Sequence, residues 1–161
     1  MKPRLSLKGR GLQILSQRDH SRSELRRKLL VHARAAQAEG EGESESAPQA
    51  AEQVEAVLDW LQANRYLSEE RFVESRVHAR ASRFGNLRIR QELAQHGVAL
   101  TADAAQQLKD SEAARARDVW SRKFGQVAAD AAERARQVRF LAGRGFSSEV
   151  IRRVVQGASD D

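Results

Sequence analysis

Apolar positions along this chain recur at three- and four-residue intervals and do not alternate, so the pattern predicts helices throughout and no strands. A first helix is expected from Leu5 to Gln17, weakened by Gly9 and Gly11. Ser21 and Glu24 form a capping box that starts a second helix, carrying Leu25 and Leu29. Residues 36–50, "AQAEGEGESESAPQA", offer nothing to bury and are expected to be a disordered acidic loop. Val54, Val57, Leu58 and Leu61 then mark an amphipathic helix ending near "ANRYL". Ser68, followed by Glu69 and Glu70, caps the next helix, in which Val73, Val77 and Phe84 share a face until Gly85 and Asn86 interrupt it. A helix carrying Ile89 and Leu93 runs to Gly97, and Thr101 caps a short successor ending at Leu108. Ser111 restarts a helix with an Ala113/Ala116/Trp120/Phe124 stripe. A further helix, about Ala128 to Ala142, uses Ala131, Ala135, Val138 and Ala142 as its face, and Gly143 and Gly145 break it before the last helix.

Three of these segments repeat one another. Each has a ring, then cap-type residues, then an aliphatic, an arginine, and a second aliphatic four residues after the first. The rings are His20, Phe84 and Phe146; the aliphatic pairs are Leu25/Leu29, Ile89/Leu93 and Ile151/Val155; the arginines are Arg26, Arg90 and Arg152. The copies stand 64 and 62 residues apart. Two or three short helices cannot bury enough apolar surface alone, whereas stacked units share their boundaries. The expected architecture is therefore all-α, an elongated tandem array of three three-helix repeats at residues 1–65, 66–109 and 110–161.

Charge changes this picture more than composition does. The net charge of +6 conceals segregation: residues 1–35 carry +8, 36–70 carry −8, 71–100 carry +4 and 101–161 carry +2. Arginine supplies most of the cations, and its planar fork suits phosphate and carboxylate recognition. With no cysteine there is no disulfide or thiolate chemistry to expect. Neither an apolar signal segment nor a long apolar run is visible, which points to a soluble cytoplasmic protein.

No catalytic constellation assembles from the sequence. His20, His32, His78 and His96 are scattered without ligand spacing, and "LKGRGLQ" lacks the strand before it and the Lys-Ser/Thr after it that a phosphate loop needs. A non-enzyme without metal or cofactor is expected. The candidate partner-binding or DNA-binding residues are Arg22, Arg26, Arg27 and Lys28 on the first motif helix, Arg88 and Arg90 on the second, Arg152 and Arg153 on the third, and Arg76, Arg80 and Arg83 on the helix before the second. Any one of these could simply belong to a solvated face, and Arg80 lies close enough to the Val73/Val77/Phe84 face to pack its stem there. Recurrence of a cation at one motif position is what favours a periodic anionic partner. Tyr66, Phe72, Phe84 and Phe146 read as core; Trp60 reads as a contact to a neighbouring unit or as an exposed anchor. The acidic loop reads as a solubilising insertion or as a tethered competitor for the basic surface.

Four ordered blocks, "RDHSRSELRRKL" (18–29), "YLSEERFVESRVHARA" (66–81), "GNLRIRQELAQHGV" (85–98) and "RFLAGRGFSSEVIRRVV" (139–155), resemble those of the RecX family of bacterial recombination regulators. The resemblance spans most of the chain outside residues 36–50, and departs from the repeat where His20 stands in place of Phe. It implies tandem three-helix repeats and a regulatory role in homologous recombination, DNA repair and the SOS response. It also implies binding to the RecA recombinase and its DNA filament, with depression of ATPase, strand exchange and co-protease function. Weak direct binding to single- or double-stranded DNA by a monomer is expected alongside. The rival readings are a helix-turn-helix-like module acting directly on DNA and a scaffold with no nucleic-acid role.

Overall fold

The computed structural model describes residues 4–39 and 47–157. Among them the chain is all-helical: α1 (Leu7–Leu15), α2 (Arg22–Glu39), α3 (Ala47–Ala63), α4 (Glu69–Ala81), α5 (Asn86–Gln95), α6 (Ala102–Lys123), α7 (Ala131–Gly143) and α8 (Ser148–Val155). The chain divides into two compact units, Met1–Phe72 and Val73–Asp161.

In the first unit α1, α2 and α3 pack pairwise around Leu25, Leu29, Ala33, Val54, Leu58, Leu61 and Leu67. The glycine that weakens α1 in isolation serves its packing, since a Cβ on Gly11 would sit 2.8 Å from Leu61 Cδ1. The expected disordered loop is narrower than residues 36–50: Ala36–Glu39 continue α2 and Ala47–Ala50 open α3. Ala50 is wholly buried in the core. It lies one turn before Val54 on the same face, and a single alanine was too weak a hydrophobic signal to extend that stripe. The rest of the predicted loop, residues 40–46, lies outside the described residues. At the end of α3, Arg65 adopts φ 62° and the Tyr66 and Leu67 N–H groups donate to the Leu61 carbonyl at 2.9 and 3.1 Å. Tyr66 is not core: it is 49% exposed, stacked on Trp60 with Lys8 over the indole at 4.0 Å. Trp60 thus packs inside its own unit.

The second unit is built around α6. Its expected break between Leu108 and Ser111 does not occur, and α6 runs unbroken for 22 residues. No glycine or proline intervenes, and the Ser111 hydroxyl turns back onto the Leu108 carbonyl at 3.3 Å instead of capping a new helix. Thr101 is the true cap, its Oγ1 accepting from the Ala104 N–H at 3.2 Å. Ala116, Val119 and Trp120 face inward from α6, meeting Leu141, Phe146, Ile151, Val154 and Val155, and Leu108 is buried as well. The alanine face expected for α7 points the other way: Val138 is exposed, and the buried positions are Gln137 and Leu141. Gln137 is tolerated there because both ends of its amide are used. Trp120 Nε1–H donates to Oε1 at 2.9 Å, and Nε2 donates to the Gln126 carbonyl at 3.0 Å.

Candidate functional site

The repeated motif acquires a physical meaning in the second unit, where the turns of its second and third copies lie backbone against backbone. Gly85 N–H donates to the Arg144 carbonyl at 2.8 Å and Leu87 N–H to the Gly145 carbonyl at 3.0 Å. A Cβ at Gly85 would lie 2.3 Å from Phe146 N, so only glycine fits. Glu112, in the middle of α6 and 5% exposed, clamps both motif helices by their N-termini. Its Oε1 accepts from Asn86 N–H at 3.2 Å and Ser147 N–H at 3.1 Å, and its Oε2 accepts from the Ser147 hydroxyl at 3.2 Å. One turn on, Arg115 donates to the carbonyls of Ala81, Phe84 and Leu108 at 3.1, 2.8 and 3.1 Å and to the Asn86 side chain. Burial pushes its guanidinium below the ordinary arginine value, against the attraction of Glu112. Sequence reasoning missed both residues, because a Glu and an Arg on a helix otherwise look like surface.

The three motif rings and arginines are not equivalent. His20 and Phe146 are buried, whereas Phe84 is only half-buried. His20 Nδ1 pairs with the Arg18 carbonyl at 2.9 Å, which leaves Nε2 to accept from Lys28 Nζ at 3.0 Å. Burial pushes the imidazole below its ordinary pKa. Arg22 reaches Glu55 at 2.9 Å, Asp59 at 2.6 Å and Gln62 at 2.7 Å, and Arg26 pairs with Glu55 as well. Hydrogen bonds from Arg26 and Arg22 hold the Glu55 carboxyl below the usual range. These two arginines therefore tie α2 to α3. Arg27 is exposed, and Lys28 also approaches Glu24 at 3.9 Å.

In the second unit Arg76 and Arg80 share Glu92, each at 3.1 Å. Arg153 pairs with Glu149 at 3.2 Å one turn away on α8. Arg90 and Arg152 are exposed with no carboxylate at ion-pair distance among the described residues. Arg83 and Arg88 gather on Phe84, joined by Arg80 and by a residue the motif did not mark, Arg144. Arg122 and Lys123, in the last turn of α6, were also missed: Arg122 donates to the Ser82 carbonyl at 3.0 Å, and Lys123 lies 5.6 Å from the Phe140 ring. Among the described residues no cluster of three or more His, Cys, Asp or Glu could hold a metal ion, and no helix is long and apolar enough to cross a membrane.

Residues 68–101 match the model of the RecX second three-helix domain, and residues 110–155 match that of the RecX third three-helix domain. The chain is 49% identical to the regulatory protein RecX of Ralstonia nicotianae over 156 residues, covering 96% of this chain and 89% of that protein. It is also 49% identical to the regulatory protein RecX of Leptothrix cholodnii over 162 residues, covering 99% and 94%. The chain belongs to the RecX family. The relative from Pseudomonas putida, again a regulatory protein RecX, is 40% identical over 162 residues. In RecX terms, α4 and α5 fall within the second three-helix domain, while α6 from its ninth residue, α7 and α8 fall within the third. Glu112 and Arg115 thus come from the third domain and grip Asn86 and Phe84 of the second.

Proposed function

We propose that this RecX-family chain is a non-enzymatic regulator that binds the RecA recombinase filament in the cytoplasm and inhibits its ATPase, strand-exchange and co-protease activities. The observation that carries the reading is the family match over nearly the whole chain, to proteins named as regulatory. In this reading the repeats at 1–65, 66–109 and 110–161 bridge successive protomers as a monomer in the filament groove, hindering duplex entry and protomer motion. Arg90 and Arg152 are its best candidates among the motif arginines, because their exposure leaves the guanidinium fork free for an acidic or phosphate partner. Arg26 contributes to the fold of its own repeat instead.

A second reading, direct action on DNA by helix-turn-helix-like modules, is favoured by the cations around Phe84 and is compatible with weak DNA binding alongside filament binding. The deciding experiment measures RecA-filament ATPase against increasing amounts of the chain. A saturable fall is expected, and a flat response overturns the filament reading. Salt separates the two: direct DNA binding falls steeply with salt and does not require the recombinase.

A further inference from the structure

Phe84 stands in the turn between α4 and α5, and four guanidinium carbons surround its ring. Arg88 lies 4.4 Å from the centroid, Arg144 5.4 Å, Arg83 5.5 Å and Arg80 5.9 Å. No two of them are separated by more than about twice the longest of these distances, close to the screening length of roughly 8–10 Å at physiological salt, so their potentials add. Arg122 joins through the Ser82 carbonyl, and Lys123 shares the Phe140 ring with Arg144, which lies 5.2 Å from it. Of these six cations only Arg80 has a carboxylate at ion-pair distance among the described residues, namely Glu92.

Part of this concentration is structural. Arg88 donates to the Gly143 carbonyl at 3.4 Å, Arg144 to the Arg83 carbonyl at 3.5 Å and Arg122 to the Ser82 carbonyl at 3.0 Å, so the cations sit over the carboxyl ends of α7 and α4. Two helix C-termini offer about one elementary charge of partial negative between them. The ring contacts attract the guanidinium groups without neutralising their charge. Against five cations without a carboxylate, most of the positive charge is left to solvent, and each guanidinium has further N–H donors to offer.

We infer that the surface formed by Arg83, Arg88, Arg122, Lys123 and Arg144 around Phe84 is a binding site for the sugar–phosphate backbone of duplex DNA. The charge density decides between partners. Duplex DNA carries one negative charge per about 1.7 Å of axis, which an acidic protein face matches only with a carboxylate on nearly every residue. A single strand carries half that density, and its advantage elsewhere, stacking of unpaired bases on an aromatic face, is absent here because arginines cover Phe84. The site therefore reads backbone charge and not sequence.

This locates the DNA-contact part of the proposed function and is independent of the filament part. The full chain is titrated with a labelled mixed-sequence duplex from about 50 to 200 mM salt, as wild type, as Arg83→Gln/Lys123→Gln, and as Arg34→Gln/Lys109→Gln, an equal charge loss at exposed positions of α2 and α6. The first pair is expected to flatten the log–log salt slope by about 2 and to lower affinity by roughly a hundredfold at the low-salt end; the second leaves the slope unchanged. Melting temperatures of both pairs should match wild type, and Arg122→Gln, expected to flatten the slope by about 1, supplies an independent reading if the first pair is destabilised. Equal effects from both pairs, tighter binding of a single strand of the same length, or equal competition by polyglutamate at matched charge would each overturn the assignment, the last in favour of an acidic protein surface. Inhibition of filament ATPase by the wild-type chain, run in parallel, fails or succeeds separately.

Discussion

Replacing Glu112 by alanine tests whether the junction between the second and third motif copies holds the second unit together. The side chain accepts three hydrogen bonds while almost fully buried, two of them from backbone N–H groups with no helical partner of their own. An unsatisfied buried donor costs about 1–3 kcal/mol, so stranding the Asn86 and Ser147 N–H groups costs on the order of 2–6 kcal/mol. The better helix propensity of alanine returns only a few tenths. With about 2–4 °C of melting temperature per kcal/mol at this chain length, Glu112→Ala should lower Tm by roughly 10 °C, read by circular dichroism at 222 nm. Glu112→Gln keeps an Oε1 that can accept from both N–H groups and should lose well under half as much. If the two variants melt together, or if Glu112→Ala melts within about 2 °C of wild type, the clamp does not carry the junction.

Gly85→Ala forces a Cβ to within 2.3 Å of Phe146 N and should cost at least about 1–3 kcal/mol, visible as a lower denaturation midpoint; a neutral substitution would mean that the turns do not touch. His20 is held below its ordinary pKa by burial, so the unfolded chain takes up its proton first. Its contribution to stability is complete above about pH 6.5 and is lost as pH falls through that value toward the lower folded pKa. His20→Phe, the residue of the other two copies, should flatten the fall in stability below about pH 6.5 in denaturant titrations, and an unchanged slope would show that another group titrates. Arg26→Glu places a second carboxylate beside Glu55 and should lower the melting temperature, whereas Arg90→Glu and Arg152→Glu should melt normally and raise the concentration needed to inhibit filament ATPase. Unchanged inhibition by both would remove the motif arginines from the interface.

Helix existence and the core pairs Leu25/Leu29, Ile89/Leu93 and Ile151/Val155 were legible because an i, i+4 aliphatic pair has one face and must bury it. Where alanine carried the signal it misled in both directions. Ala50 is core because α2 lies against it, and Ala131, Ala135 and Ala142 are exposed because α7 turns Gln137 toward Trp120. An alanine face is nearly neutral, so the orientation is settled by what the neighbouring helix offers, and a polar residue prevails when its hydrogen bonds are complete.

The same reasoning explains why an identical motif yields three different sites. Local sequence places an arginine one residue after the first aliphatic each time, but its partner comes from another helix: Glu55 from α3 engages Arg26, and no carboxylate meets Arg90 or Arg152 among the described residues. At the ring, the contrast between buried Phe146 and half-buried Phe84 follows from which groups the neighbouring turns bring. Phe146 receives Trp120, Leu141 and Ile151, whereas Phe84 receives Arg83, Arg88 and Arg144. Aromatic rings accept both kinds of cover, apolar packing at their edges and cations over their faces, so periodicity alone could not separate them. The repeated grammar thus encodes a shared way of starting a helix, and divergence of the facing residues is what converts one copy into a structural tie and another into a surface of unpaired positive charge.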